Sequence, residues 1–333
     1  MKLLAEFLNK AKAKKAKIVL PETTDERIIE ATKKIIVQEI THIILVGDRD
    51  NLQNKFSDYE LSKITIYDPV QDSVMTEKLA NVLYEKRKNK GMTIEKAIEE
   101  VKTKPYYFGA LLVNIGEADG MVCGAVCATG ETIRATIHCV GLKQGSKLIS
   151  SFFVMVTPKE EFGIDGTLFF ADCGVNPNPN AEELASIAID TAASFKQLMC
   201  REPVVGMLSF STKGSAKHEL VDKVVQATDI VKNARPDLIV DGEFQLDAAI
   251  VPAVAIKKAP GSKVAGKANC LIFPDLQAGN IGYKLTERLA NAVAIGPIIQ
   301  GAKKPINDLS RGCSVDDIVY ATAITILQIE PEC

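Results

Sequence analysis

Lys17-Ile-Val-Leu-Pro-Glu-Thr-Thr-Asp-Glu-Arg-Ile-Ile-Glu-Ala-Thr-Lys-Lys-Ile-Ile-Val-Gln-Glu-Ile-Thr-His-Ile-Ile-Leu-Val46 decides the fold class. Two short β-branched runs, Lys17–Leu20 and His42–Val46, flank Asp25–Glu39, whose apolar residues recur at helical spacing behind an aspartate cap. The pattern repeats down the chain, with apolar runs at Lys63–Tyr67, Gly120–Cys123, Lys147–Val156, Thr167–Ala171, Val204–Phe210, Leu238–Val240, Cys270–Phe273 and Ala294–Ile298. Helices are signalled at Asn180–Met199, Ser215–Ala234 and Asp316–Gln328. Runs without polar alternation, separated by helices, predict mainly parallel strands buried on both faces. The class is α/β.

With 333 residues, 47% hydrophobic and 25% charged, the chain has material for about two domains. No linker of Pro, Gly or Ser divides it, so the boundaries fall at subtler breaks, Gly141–Lys147 and Gly301–Pro305. They predict a discontinuous first domain, 1–146 plus 301–333, and a second domain, 147–300.

A net charge of −2 gives no basic surface for nucleic acid or an anionic membrane. Any bound anion must be held by a few local cations. No uncharged apolar stretch reaches the ~18 residues of a membrane span. Met1–Lys17 reads as an amphipathic surface helix rather than a signal peptide. The scattered cysteines (Cys123, Cys127, Cys139, Cys173, Cys200, Cys270, Cys313, Cys333) read as reduced, mostly buried thiols, which predicts a cytoplasmic location.

His42, His138 and His218 lack the spacing of a zinc site or a catalytic triad, and each reads as structural or on the surface. Gly261-Ser-Lys-Val-Ala-Gly-Lys-Ala268 matches a phosphate-cradling loop until Ala268, which offers no hydroxyl for magnesium. It also follows a helical pattern, Ala248–Ala259, and leads into a strand, the reverse of a nucleotide loop. A connecting loop is the better reading, with Lys267 a possible contributor to a site. No G-x-G-x-x-G supports a nicotinamide enzyme.

The densest polar stretch is Lys304-Pro-Ile-Asn-Asp-Leu-Ser-Arg-Gly-Cys-Ser-Val-Asp-Asp317. Ser310–Arg311–Gly312 puts a hydroxyl and a forked guanidinium before a helix start, a combination suited to phosphate. The plain alternative makes Asn307, Asp308, Ser310 and Ser314 turn and cap residues, and local pattern leaves both readings open. Similar strand-to-helix turns occur at Gly124–Arg134, with Thr129 and Arg134, and at Phe210–Lys217, with Ser211 and Lys213. Three such turns with cations nearby favour a phosphate-bearing substrate.

Leu208–Lys217, Asp241–Pro252, Phe273-Pro-Asp-Leu-Gln-Ala-Gly-Asn-Ile-Gly-Tyr-Lys284 and Lys304–Ser314 resemble the signature segments of the phosphate acetyltransferase (phosphotransacetylase) family, and the similarity runs from Pro21-Glu22 to the last helix. The resemblance implies a two-domain α/β subunit with three-layer domains, a substrate cleft between them and assembly as a homodimer, with the second domain predicted as the dimerising one. It implies acetyl-CoA + phosphate = acetyl phosphate + CoA, with coenzyme A as substrate and no metal or other cofactor. Ser310 and Arg311 would hold the acetyl and phosphoryl groups, and Arg87 and Arg134 would add cations. Thr129, Ser211, Lys213, Asn280, Tyr283 and Lys284 are the further substrate-binding candidates. Asp317, counted from Ser310, would take the thiol proton, with Asp316 as the alternative; Val315 interrupts the acidic run usual there. The Gly124–Glu131 run carries Cys127 and Ala128 where relatives are richer in hydroxyls.

A thiolate is the competent nucleophile, so a carboxylate that removes the thiol proton assists attack. Direct transfer in a ternary complex is expected, with Cys313 as a packing residue rather than an acyl carrier. The competing readings are a butyryltransferase, a decarboxylating dehydrogenase and a silent acyl-CoA sensor.

Overall fold

The computed structural model describes residues 2–329, which form two compact units, one comprising residues up to Lys143 together with those from Ala302 onward, the other Gln144–Gly301. The first unit is built on a five-stranded sheet of β1 (Lys17–Leu20), β2 (His42–Val46), β3 (Ile64–Tyr67), β4 (Gly120–Cys123) and β11 (Ile306–Asp308), in the order β11-β4-β1-β2-β3. Every pairing in it is parallel. Ile18, Val19 and Leu20 of the central strand are fully buried because helices cover both faces. Ile28, Ile35, Ile318 and Ile326 pack one face; Leu79, Leu83, Phe108 and Leu111 pack the other.

The second unit holds a six-stranded sheet of β5 (Ser150–Val156), β6 (Thr167–Ala171), β7 (Val204–Leu208), β8 (Ile239–Phe244), β9 (Cys270–Ile272) and β10 (Val293–Gln300), in the order β10-β5-β6-β9-β7-β8. Here β5 pairs antiparallel with both β10 and β6, while β6, β9, β7 and β8 run parallel. Hydropathy carries no strand direction, so these antiparallel pairs were not readable from the runs.

The N-terminal segment is a helix, Lys2–Lys12, that buries Leu4, Phe7 and Ala11. The expected helix Ala248–Ala259 is instead two, Leu246–Ile250 and Pro252–Lys258, broken where Pro252 forces Val251 out of helical geometry. The glycine loop after it leads into β9, as a connecting loop should. Among the described cysteines only Cys200 is exposed, and burial pushes the thiols of Cys139, Cys173 and Cys270 upward, which keeps them protonated. No helix among the described residues is long and apolar enough to cross a membrane.

Candidate functional site

In the first unit β2 and β3 lie to one side of β1, and β4 and β11 to the other. The chain therefore diverges between the carboxyl ends of β1 and β4, where open α/β sheets hold their ligands. A protein carboxylate occupies the turn there. Glu22, just past β1 and 3% exposed, accepts backbone N–H bonds from Gly124 and Ala125 on Oε2 (2.8 and 2.7 Å) and from Val126 and Cys127 on Oε1 (3.1 and 2.7 Å). The backbone donors that the sequence offered to a substrate phosphate are thus used internally, and only the side chains beyond them face outward.

Asp308 ends β11 and is 3% exposed. Its Oδ2 accepts from Thr129 Oγ1 at 2.6 Å and its Oδ1 from Thr132 Oγ1 at 2.7 Å. Gly124, with φ +107°, must be glycine, since a Cβ there would stand 2.4 Å from Asp308 Oδ1 and 2.6 Å from Leu309 N. Burial pushes the Asp308 carboxyl up to about 6, against the lowering effect of the two threonine bonds and with a further push from the negative charge of Glu22. The plain reading of Asp308 as a turn residue is corrected: it is a buried, strand-end carboxyl tied to the start of the helix Thr129–Ala135.

Ser310 and Arg311 follow at once, both exposed. Ser310 Oγ accepts from Gly312 N at 3.3 Å, a local turn. Arg27 holds the loop: its Nη1 donates to the carbonyls of Arg311 (2.9 Å) and Cys313 (2.7 Å), and its Nη2 to that of Ala125 (3.1 Å). Asp25 fixes Arg27 in turn, through Nε at 3.0 Å and Nη2 at 2.7 Å. One guanidinium thereby joins the Glu22-filled turn to the Ser310–Arg311 loop. Among the described residues the side chain of Arg311 meets no carboxylate, so its charge faces outward uncompensated.

At the start of the helix Val315–Leu327, Ser314 caps as the plain reading supposed. Asp317 closes the capping box, its Oδ2 accepting from Ser314 N and Oγ, both at 2.8 Å, and Oδ1 has no protein partner among the described residues. Asp316 forms an ion pair with Lys34. Cys313 is buried, and burial raises its thiol.

Arg87, half-buried, and Arg134, exposed, carry no ion pair among the described residues. Both lie near enough to His138 for their charge, after burial, to lower its pKa; His138 Nδ1 is 2.9 Å from Tyr107 OH. The structure therefore brings these two cations to one neighbourhood. Thr129 bonds Asp308, and Ser310 and Arg311 follow Asp308 two and three residues along the chain.

Five candidates belong to the second unit, and most are engaged internally. Ser211 is fully buried and donates to Glu243 at 2.8 Å, which also accepts from Gly214 N at 2.8 Å. Lys213 donates to Asp241 at 2.6 Å, and although burial pushes the Asp241 carboxyl up, the bonds from Lys213, Lys232 and Ser262 together hold it down at about 2. In the helix Leu276–Leu289, Asn280 Nδ2 donates to Cys173 O at 3.1 Å and Tyr283 stacks on Phe153 at 4.1 Å; Lys284 is exposed.

A hollow of ≈ 820 Å³ in the first unit is lined by Glu22, Thr24, Asn51, Lys55, Tyr106 and Cys127 among others, and includes none of the candidates. Three residues escaped sequence reasoning: Glu22, Arg27 and Asp308. For the two acids the available signal was a carboxylate within two residues of the end of a buried strand, repeated at Asp172 after β6 and at Glu243 within β8; Arg27 had none. Asp172 fills its turn in the same way, accepting from the backbone N–H of Gly174 (2.9 Å) and Asn176 (2.9 Å).

A family model described as phosphate acetyl/butaryl transferase matches residues 2–326. The chain is 53% identical over 330 residues to the phosphate acetyltransferase of Thermoanaerobacterium thermosaccharolyticum, covering 99% of this chain and 100% of that one. A phosphotransacetylase structure from Streptococcus pyogenes superposes with a TM-score of 0.89 at 40% identity, covering 98% of each chain. EutD phosphotransacetylase from Staphylococcus aureus gives 0.88 at 39%, covering 99% of this chain and 98% of that one. With matched sequence running through both sheets and the Arg311 loop, the chain belongs to the phosphate acetyl/butaryl transferase family.

Proposed function

We propose that this protein exchanges an acetyl group between coenzyme A and phosphate, acetyl-CoA + phosphate = acetyl phosphate + CoA, in the cytoplasm and with no cofactor beyond the CoA substrate. The observation that carries the reading is the exposed Arg311, which meets no carboxylate among the described residues, on a loop whose backbone Arg27 clamps. With the loop backbone fixed, the Arg311 side chain starts from a set position beside Ser310, and its fork suits two phosphate oxygens. Ser310 adds a hydroxyl, Arg87 and Arg134 add cations, and Asp317 takes the thiol proton through its open Oδ1. The test is CoA-dependent formation of acetyl-CoA from acetyl phosphate, with butyryl phosphate in parallel. Absence of turnover with either acyl phosphate discards the reading.

Transfer is direct, because the Cys313 thiol is buried and shifted upward rather than activated. Cys313→Ala is therefore expected to keep turnover within about threefold of the parent. A folded Cys313→Ala protein with almost no turnover would require an acyl-enzyme instead.

The protein acts as a homodimer through the second unit. Ile281, Leu285 and Leu289 stand 57%, 52% and 78% exposed at intervals of one helical turn, an apolar stripe that a second copy would cover. Leu285→Glu with Leu289→Glu should yield monomers by light scattering, whereas an unchanged mass rules out this face.

A further inference from the structure

We propose that Asp308, acting through the Thr129 hydroxyl, gives the departing phosphate its proton and takes a proton back when phosphate attacks. The inference rests on acetyl transfer as proposed above. In acetyl phosphate the bond that breaks would leave a fully ionised phosphate, a poor leaving group, unless a proton reaches the ester oxygen as the bond opens. Arg311 and Ser310 can stabilise charge there, but a guanidinium and an alkyl hydroxyl hold their protons too firmly to release them near neutrality. A group with a more acidic, accessible proton is needed.

Asp308 has that character and an outlet. It is buried at 3% exposure, while Thr129, 2.6 Å from its Oδ2, is exposed. Oδ1 is closed off by Thr132 at 2.7 Å. The hydroxyl of Thr129 is thus the route between the carboxyl and a ligand beside Ser310, two residues along the chain. With Asp308 ionised, Thr129 donates inward; with Asp308 protonated, Thr129 accepts from the carboxyl and its own O–H turns outward. The titratable groups that face Asp308 are Glu22, across the β1 end, and the thiols of Cys123 and Cys127, which share the Thr132 hydroxyl at 3.5 and 3.4 Å. Its shift to about 6 puts a usable fraction of the acid form near neutral pH, and a bound phosphoryl dianion raises that fraction further.

The proton balance closes. Asp317 removes the thiol proton, the sulfur pair forms the S–C bond, and the C–O pair leaves on oxygen. That oxygen takes the Thr129 proton, which Asp308 replaces. The products are thioester and hydrogen phosphate, with Asp308 ionised and Asp317 protonated until solvent resets the pair. The reverse reaction uses the other tautomer of the same singly protonated pair, so both directions share one pH profile, falling as pH rises past the Asp308 midpoint.

Asp308→Asn and Thr129→Val should each lower kcat by on the order of a hundredfold below that midpoint, and the deficit should shrink as pH rises, because the parent loses its acid form there. Thr129→Ser, which keeps the hydroxyl, should restore most of the rate and the parent pH profile. A deficit equal at every pH, or a Thr129→Val enzyme with the parent profile, would overturn the proposal. Acetyl transfer by the parent enzyme stands as a separate result: its absence removes the proposed reaction, while its presence alongside an unaltered Asp308→Asn profile removes this step alone.

Discussion

Arg311→Ala is expected to lower kcat/KM for acetyl phosphate by about a thousandfold, with a loss of phosphate affinity alongside the loss of turnover. The direction follows from where charge develops: attack at the acetyl carbon concentrates negative charge on the tetrahedral oxygen and on the departing phosphate, and preorganised donors at such places are worth roughly 3–4 kcal/mol each. The size follows from preorganisation. Arg27 already fixes the carbonyls of Arg311 and Cys313, and among the described residues no carboxylate competes for the Arg311 fork. Its full charge is therefore available to substrate. Arg311→Lys keeps the charge but loses two-point geometry, and should recover only part of the rate. The Arg311→Ala backbone still supplies the carbonyl that Arg27 uses, so the fold should survive, which thermal unfolding can check. Near-parental kinetics in a folded Arg311→Ala protein would place the phosphate elsewhere.

The sheets were legible where the physics is local. β1, β2, β4 and β6 were each readable to the residue, because β-branched runs end at proline, glycine or acidic residues that cannot continue a buried strand. β11 escaped because Asn307 and Asp308, buried at 2% and 3%, look like loop residues to any hydropathy pattern. Their burial is bought by partners distant in sequence, Thr325 for Asn307 and Thr129 and Thr132 for Asp308. The site divides along the same line. Arg311 stands out in its own neighbourhood, as an exposed arginine beside a glycine before a helix. Glu22, Arg27 and Asp308 act across about a hundred residues or more of chain, and no spacing within one segment records that.

Glu22→Ala should destabilise the first unit by about 3–5 kcal/mol, the largest stability effect expected of any single change near the site. Four backbone N–H groups converge on this carboxylate, at 2.7 to 3.1 Å. Removing it leaves them facing one another with their dipoles aligned, a cost that water entering from the adjoining hollow offsets only in part. Glu22→Gln is the sharper comparison. Its amide oxygen can still accept two of the four donors, but its NH₂ meets the other two donor to donor, so it should retain only part of the parent stability. Activity should fall with stability, since the Ala125 carbonyl that anchors Arg27 lies inside the same turn and Arg27 holds the Arg311 loop. Urea unfolding combined with hydrogen exchange at Gly124–Cys127 separates the two units, which need not unfold together. If those amides remain protected in Glu22→Ala and the unfolding midpoint stays put, the carboxylate is not what shapes this turn, and the Arg311 loop must owe its position to other contacts.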